Sequence, residues 1–149
     1  MMKKNYLPIA INIANQKILL IGGGIDAYKK LRILQRYGAE VEVLASTVCD
    51  EIKKTGINFF ESEYHKKYLK NYLMVYSCLD DDDMDQQIVK DCNEERVLVN
   101  IHDKPDLCQF VSPAIYRKGN ISVAVSSNGE NVYESIRIRN IIQDNIELK

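Results

Sequence analysis

KILLIGGGIDAYKKLRILQRYGAEVEVLAS, Lys17 to Ser46, decides the fold. Ile18 to Ile21 is a short, continuous apolar run, the mark of a strand buried on both faces. It meets three glycines, Gly22 to Gly24. A helical pattern follows over Asp26 to Tyr37, with Ala27, Leu31, Leu34 and Tyr37 on one side and Ile33 widening it. Gly38 stands where a helix-ending C′ glycine belongs, and Val41 to Ala45 is a second apolar run. Strand, tight turn, helix and strand within about thirty residues make a mononucleotide-binding βαβ unit.

The turn reads Gly22-Gly23-Gly24-Ile25-Asp26-Ala27 and fits G-x-G-x-x-G/A, with Ala27 in the third place. Gly22 permits the sharp turn, Gly24 lets backbone approach a pyrophosphate, and Ala27 allows close helix–strand packing. Ile25 and Asp26 open the helix, whose free N-terminal amides favour an anionic group. Gly22, Gly23, Gly24, Ile25 and Asp26 are therefore candidate cofactor contacts. A dinucleotide site specific for NAD usually ends its second strand on an acid. Here that region is Val43-Leu44-Ala45-Ser46, with no acid and no adjacent arginine for a 2′-phosphate. Ser46 is the candidate ribose contact, and spacing alone leaves NAD and NADP both open.

The rest of the chain alternates in the same way. Tyr6–Ile13 reads as an extended edge segment, because Pro8 cannot donate to a central ladder. Thr47–Lys54 reads as a short helix and Ile57–Phe60 as a third strand. Tyr64, Tyr68, Tyr72 and Tyr76 recur every four residues, yet Leu73–Leu79 is better read as a buried strand, which makes the spacing partly accidental. Met84–Asn93 is helical, Val97–Ile101 a further buried strand, and Pro105–Phe110 a turn with a short apolar piece. Ser112–Tyr116 and Ile121–Ser126 read as one more connection and strand. Tyr133–Glu147 is a terminal helix with Ile136, Ile141 and Ile142 on its apolar side. This is the pattern of an α/β, doubly wound, mostly parallel sheet, with its ligand crevice at the carboxyl end of the first strand. Residues 1–149 make one dinucleotide-binding domain, with 112–149 leading toward a dimerisation or substrate region.

Two strand ends carry polar residues to that edge. Asp80 to Asp83 is a run of four carboxylates. It reads mainly as a solvated loop that caps the next helix, where acids suit the dipole. A metal site or ligand contact is the other reading, and Asp80 and Asp81 stand as candidate cofactor contacts. Asn100-Ile101-His102-Asp103 ends another strand. A carboxylate there can act as a general base or orient a cationic partner, and a histidine can do either job; a lone histidine is more often structural, so Asp103 leads and His102 follows. No Ser-His-Asp or Cys-His order stands out, and His65 has no evident partner.

Composition narrows the class. Apolar residues make up 46% and charged residues 28%, so the chain can bury a core. Twenty basic against 21 acidic side chains give a net charge of -1, which offers no field for nucleic acid or an anionic membrane. Cys49, Cys78, Cys92 and Cys108 form no C-x-x-C pair and read as buried free thiols of a reducing, cytoplasmic setting. No apolar run reaches the roughly 20 residues of a membrane span, and asparagines interrupt any secretory core. No resident metal is expected.

YLPIAIN, IGGGIDAYKK, VNIHDKPDLCQFVSPAIYRKGNISVAVSSNG and IRIRNII together resemble the siroheme-synthase type of precorrin-2 dehydrogenase. The similarity runs from about Tyr6 to Ile142, and its most specific part is Asn100–Ser127. The resemblance implies NAD-dependent oxidation of precorrin-2 to sirohydrochlorin in sirohaem or cobalamin-related tetrapyrrole synthesis, with iron insertion in some members. It implies a catalytic role for Asp103, a tetrapyrrole-facing serine at Ser127 of the Ser126–Ser127 pair, and substrate contacts at Asn100 and His102. A carboxylate-rich substrate wants cations, and Lys104, Arg117, Lys118, Arg137 and Arg139 are candidates. The resemblance also implies a homodimer, built through a helical C-terminal extension that this sequence mostly lacks. The chain departs from the pattern at Leu79, at Asp85 in place of asparagine, and at Asn131-Val132 in place of Ser-Pro. These departures motivate the alternative of a non-catalytic NAD- or tetrapyrrole-binding module. A nucleotide-binding domain of a transport or regulatory assembly shares the βαβ start.

Overall fold

The computed structural model describes residues 3–149. They form two compact units, one spanning Ile11–Phe110 and one made of the residues up to Ala10 with Val111–Lys149.

The Ile11–Phe110 unit is the α/β unit. Its strands are β1 (Lys17–Ile21), β2 (Glu40–Ala45), β3 (Phe59–Glu61), β4 (Met74–Ser77) and β5 (Leu98–Ile101), all parallel in the order β3-β2-β1-β4-β5. Between them lie α1 (Ile25–Gln35), α2 (Asp50–Lys53) and α3 (Asp82–Glu95). Ile18, Leu20, Val41 and Val43 pack with Ala27, Leu31, Leu34 and Ile52 on one face. The alternate residues Leu19, Ile21, Leu44, Val75 and Val99 are equally buried, as the pleat requires of a sheet covered on both sides. α3 brings Ile88, Asp85 and Cys92 into burial. Strand order reverses between β1 and β4, and such a switch point opens a crevice at the carboxyl edge.

The regular tyrosine spacing carries no common face. Tyr64 donates to Asp91 at 2.7 Å, Tyr68 to Ser62 at 3.0 Å and Tyr72 to the buried Glu42 at 2.6 Å, while the Tyr76 ring meets Phe110 edge-on at 5.3 Å. His65 does find a partner: its Nδ1 accepts from Lys67 N at 3.1 Å and caps a 3-10 turn over Lys66–Leu69. Ile33 does not widen the buried face of α1; it is 44% exposed, because the helix buries only the 27–31–34 stripe.

The second unit departs from the expected pattern. Ser112–Ser126 is not one connection and one strand of the main sheet. It holds β6 (Ala114–Lys118) and β7 (Ile121–Val125), an antiparallel hairpin forming a sheet of its own, turned at Gly119 with φ +61. Such a tight connection suits antiparallel strands, whereas a parallel pair needs a long crossover. Tyr6–Ile13 forms no strand; Tyr6 N donates instead to Asn128 Oδ1 at 2.7 Å, and Asn128 Nδ2 donates to Lys4 O at 3.0 Å. α4 (Val132–Asn145) buries Ser135, while Ile136 and Ile141 of the expected apolar side are 37% and 48% exposed.

Candidate functional site

Four loops meet the carboxyl edge of the parallel sheet, and backbone hydrogen bonds tie each to a neighbouring strand or loop. Gly22 N donates to Leu44 O at 2.9 Å, Cys49 N to Gly23 O at 2.8 Å, Cys78 N to Ile21 O at 2.8 Å and His102 N to Ser77 O at 2.8 Å. The candidates Gly22–Asp26, Ser46, Asp80–Asp81 and Asn100–Asp103 are thus brought to one edge by β1, β2, β4 and β5.

The three glycines do different work. Gly22 has φ +133, a backbone that side chains rarely adopt, and a Cβ there would lie 3.1 Å from Cys78 O. A Cβ on Gly23 would lie 1.9 Å from Thr47 O, so the β2 loop closes directly on this residue. Gly24 is the opposite case. Its φ is -96, and a Cβ there would meet nothing within 4 Å. Neither the chain's packing nor its dihedral asks for glycine at 24. The missing side chain leaves open space at the N-cap of α1, where no side-chain cap occupies the free amides. Ile25 and Asp26 are exposed in the first turn of that helix, and Ser46 is exposed just beyond β2.

The β4 and β5 loops are built from charge. Asp81 caps α3 by accepting from Met84 N at 3.1 Å, so this member of the acidic run has a structural duty. Asp80 has φ +55 and a side chain 98% exposed. Asp103 has φ +59 and a side chain 85% exposed, so its carboxylate is open to a ligand. His102 Nε2 lies 3.4 Å from Asp103 Oδ2. Asn100 is buried, and its Nδ2 donates to Phe110 O at 3.0 Å. Cys108 Sγ accepts from Ile101 N at 3.2 Å, and its thiol donates to Ile101 O and Lys104 O, bracing the chain after β5. Ser127 belongs to the second unit, where its Oγ accepts from Asn131 N at 2.8 Å ahead of α4.

Of the candidate cations, Lys104, Arg137 and Arg139 have bonding partners within the chain. Lys104 is held by Asp85 at 2.6 Å, Asp82 at 2.7 Å and Asp80 at 3.8 Å. These hydrogen bonds push its ammonium above the ordinary lysine range and hold the Asp82 carboxyl below its own. Arg137 pairs with Glu134 one turn away, and Arg139 donates to Asn140 Oδ1 and Ile115 O. Lys30 of α1 is half-buried, with Nζ 5.1 Å from the centre of the Tyr76 ring. Burial lowers its pKa, and its acidic neighbours Cys78, Cys108 and Asp103 oppose that fall. Among the described residues, no carboxylate lies within ion-pair distance of Lys30. Burial also pushes the Cys78 thiol up to about 11. Among the described residues, no group of three or more His, Cys, Asp or Glu is placed to hold a metal ion, and no helix is long and apolar enough to cross a membrane.

Comparison with known proteins fits this edge. A family model described as "Putative NAD(P)-binding" matches residues 9–114. A siroheme synthase of Buchnera aphidicola is 39% identical over 129 residues, covering 84% of this chain and 27% of the relative. A siroheme synthase of Saccharophagus degradans is 30% identical over 146 residues, covering 95% of this chain and 32% of the relative. The chain thus spans about a third or less of the length of these relatives. A solved structure, the precorrin-2 dehydrogenase SirC, shares the fold with a TM-score of 0.75 at 21% identity, covering 95% of this chain and 72% of that one. With the family model matched from the approach to β1 through the start of β6, and the glycine turn at its expected strand end, the chain belongs to the NAD(P)-binding family of the siroheme-synthase N-terminal type.

Proposed function

We propose that this chain is an NAD-dependent precorrin-2 dehydrogenase of sirohaem synthesis, with Asp103 as the proton-accepting carboxylate. The observation that carries this reading is the pairing of an open phosphate cradle at Gly24 with an open carboxylate at Asp103 on one sheet edge. Siroheme synthases and a precorrin-2 dehydrogenase among the similar proteins supply the substrate class.

The residues present fit a dinucleotide. Open space at Gly24 adjoins the N-terminus of α1, which carries no side-chain cap and whose free amides suit a pyrophosphate. Ser46 lies at the end of β2 within the ribose region. The nicotinamide supplies the hydride acceptor when bound. Asp103 then takes a proton from the macrocycle at a carboxylate oxygen, with His102 Nε2 standing 3.4 Å from its Oδ2. Self-association as a homodimer is part of this reading and is supported by the exposed isoleucines of α4.

The test is absorbance-monitored conversion of precorrin-2 with NAD+, comparing wild type with Asp103→Ala. Wild type is expected to turn over, and the variant to lose about 10²- to 10⁴-fold in kcat, the span of general acid–base catalysis. A variant that keeps wild-type kcat removes Asp103 from the chemistry. Wild type that binds NAD+ without oxidising precorrin-2 returns the chain to a cofactor-binding module. Adding ferrous iron as substrate to the same assay reads out chelation as sirohaem.

A further inference from the structure

Asp103 adopts a left-handed backbone, φ +59, on a two-residue turn after β5. Aspartate takes this conformation readily as a single turn residue, and what fixes it here is the bonding on either side of it. Here a closed circuit of bonds surrounds it. His102 N donates to Ser77 O at 2.8 Å, Ser77 Oγ donates to Asp85 Oδ1 at 3.4 Å, and Lys104 Nζ meets Asp85 Oδ2 at 2.6 Å. Asp103 is the residue between the two ends of that circuit. Lys104 N also donates to Ile101 O at 3.2 Å.

Asp85 gives the circuit its strength. Its side chain is 1% exposed, whereas those of Asp82 and Asp80 are 85% and 98% exposed. Exposed pairs fix little, because water competes for both charges. A carboxylate cut off from water needs its cation, so the Lys104 side chain is fixed, and with it the backbone of the turn. Asparagine at this position, as the sequence resemblance has it, would make no such demand.

We propose that Lys104 and Asp85 form a positioning device for Asp103, clamping the β5 turn to the first turn of α3. Lys104 is thereby a positioning residue and not a substrate-binding cation. The proposal rests on the reading of Asp103 as the proton-accepting carboxylate.

Lys104→Met alone strands a buried carboxylate and lowers stability on either a positioning or a merely structural role. The Asp85→Asn/Lys104→Met double variant removes both charges and keeps an acceptor for Ser77. Two measurements are made on it, alongside Lys104→Arg as the conservative control. The first is amide hydrogen exchange over residues 101–104. The second is steady-state oxidation of precorrin-2. The double variant is expected to melt near wild type and to exchange those amides about tenfold faster through local opening. It should lose about 10- to 100-fold in kcat, with KM for NAD+ within about twofold, as misplacement of a reacting group does. Lys104→Arg should stay close to wild type in both. A double variant with wild-type kcat, or with unchanged exchange over 101–104, overturns the proposal. Faster exchange in a protein whose wild type does not oxidise precorrin-2 supports the clamp and sinks the Asp103 reading instead.

Discussion

Along the carboxyl edge of the five-stranded sheet, the β1–β2 half is closed by Gly22–Gly24 and the β4–β5 half by the acid-bearing turns around Asp80–Asp85 and His102–Lys104. The first half is made of backbone. Its shape comes from what is missing, since a Cβ at 22 or 23 would strike the neighbouring loop and one at 24 would fill open space. The second half is made of side chains, with Lys104 drawing three carboxylates together. Backbone is suited to a ligand part that never changes, such as a pyrophosphate. Side chains with exchangeable protons are suited to a part that reacts. The division of labour in the proposed reaction follows from what each half is built of.

Substitutions at the glycines break this comparison most severely. Gly23→Ala is expected to cost about 3 kcal/mol, since the new Cβ would meet the Thr47 carbonyl at 1.9 Å and backbone must shift. That corresponds to a fall in Tm of about 6–12 °C, read by calorimetry; an unshifted Tm would mean that the β2 loop yields freely. Gly24→Ala sharpens it. Stability should stay within about 0.5 kcal/mol, while NAD+ affinity falls about tenfold, measured by titration calorimetry. Equal affinity in that variant would place the pyrophosphate elsewhere. The smallest effect lies in the charged half. Lys104 holds the Asp82 carboxyl below its ordinary value. A depressed carboxyl contributes stability above its unfolded pKa of about 3.9 and loses it as pH falls through the folded value. Asp82→Asn should therefore melt slightly below wild type at pH 7, and the gap should close as pH drops below about 4. A gap that stays constant from pH 7 down through the titration of this carboxyl would assign the effect to something other than charge.

Much of the glycine half was legible in the sequence. Buried parallel strands leave continuous apolar runs, and Ile18–Ile21 and Val41–Val43 are fully or nearly buried as read. Asp103 was legible too, as a carboxylate at a strand end. The clamp was not, because Asp85 and Lys104 sit 19 residues apart on different elements, and nothing local marks one as the other's partner. Lys30 did not stand out in the sequence for a related reason. Helical periodicity divides a helix into two sides, and a residue at their border is half-buried only because Tyr76 happens to stand beside it. In the second unit, isoleucine spacing on α4 announces a helix but not which isoleucines are covered, and the tie between Tyr6 and Asn128 spans 122 residues. Long-range pairings of polar side chains leave no period to read.

The backbone bonds that stitch the four edge loops to neighbouring strands and loops bear on how tightly a ligand is held. Loops that must be ordered on binding subtract conformational entropy from affinity. Here Gly22, Cys49, Cys78 and His102 already have their amides fixed at 2.8–2.9 Å. Cofactor binding should then show a small entropic penalty, and its free energy should pass almost whole into thermal stabilisation, by about 2.7 kcal/mol at a hundredfold excess over Kd.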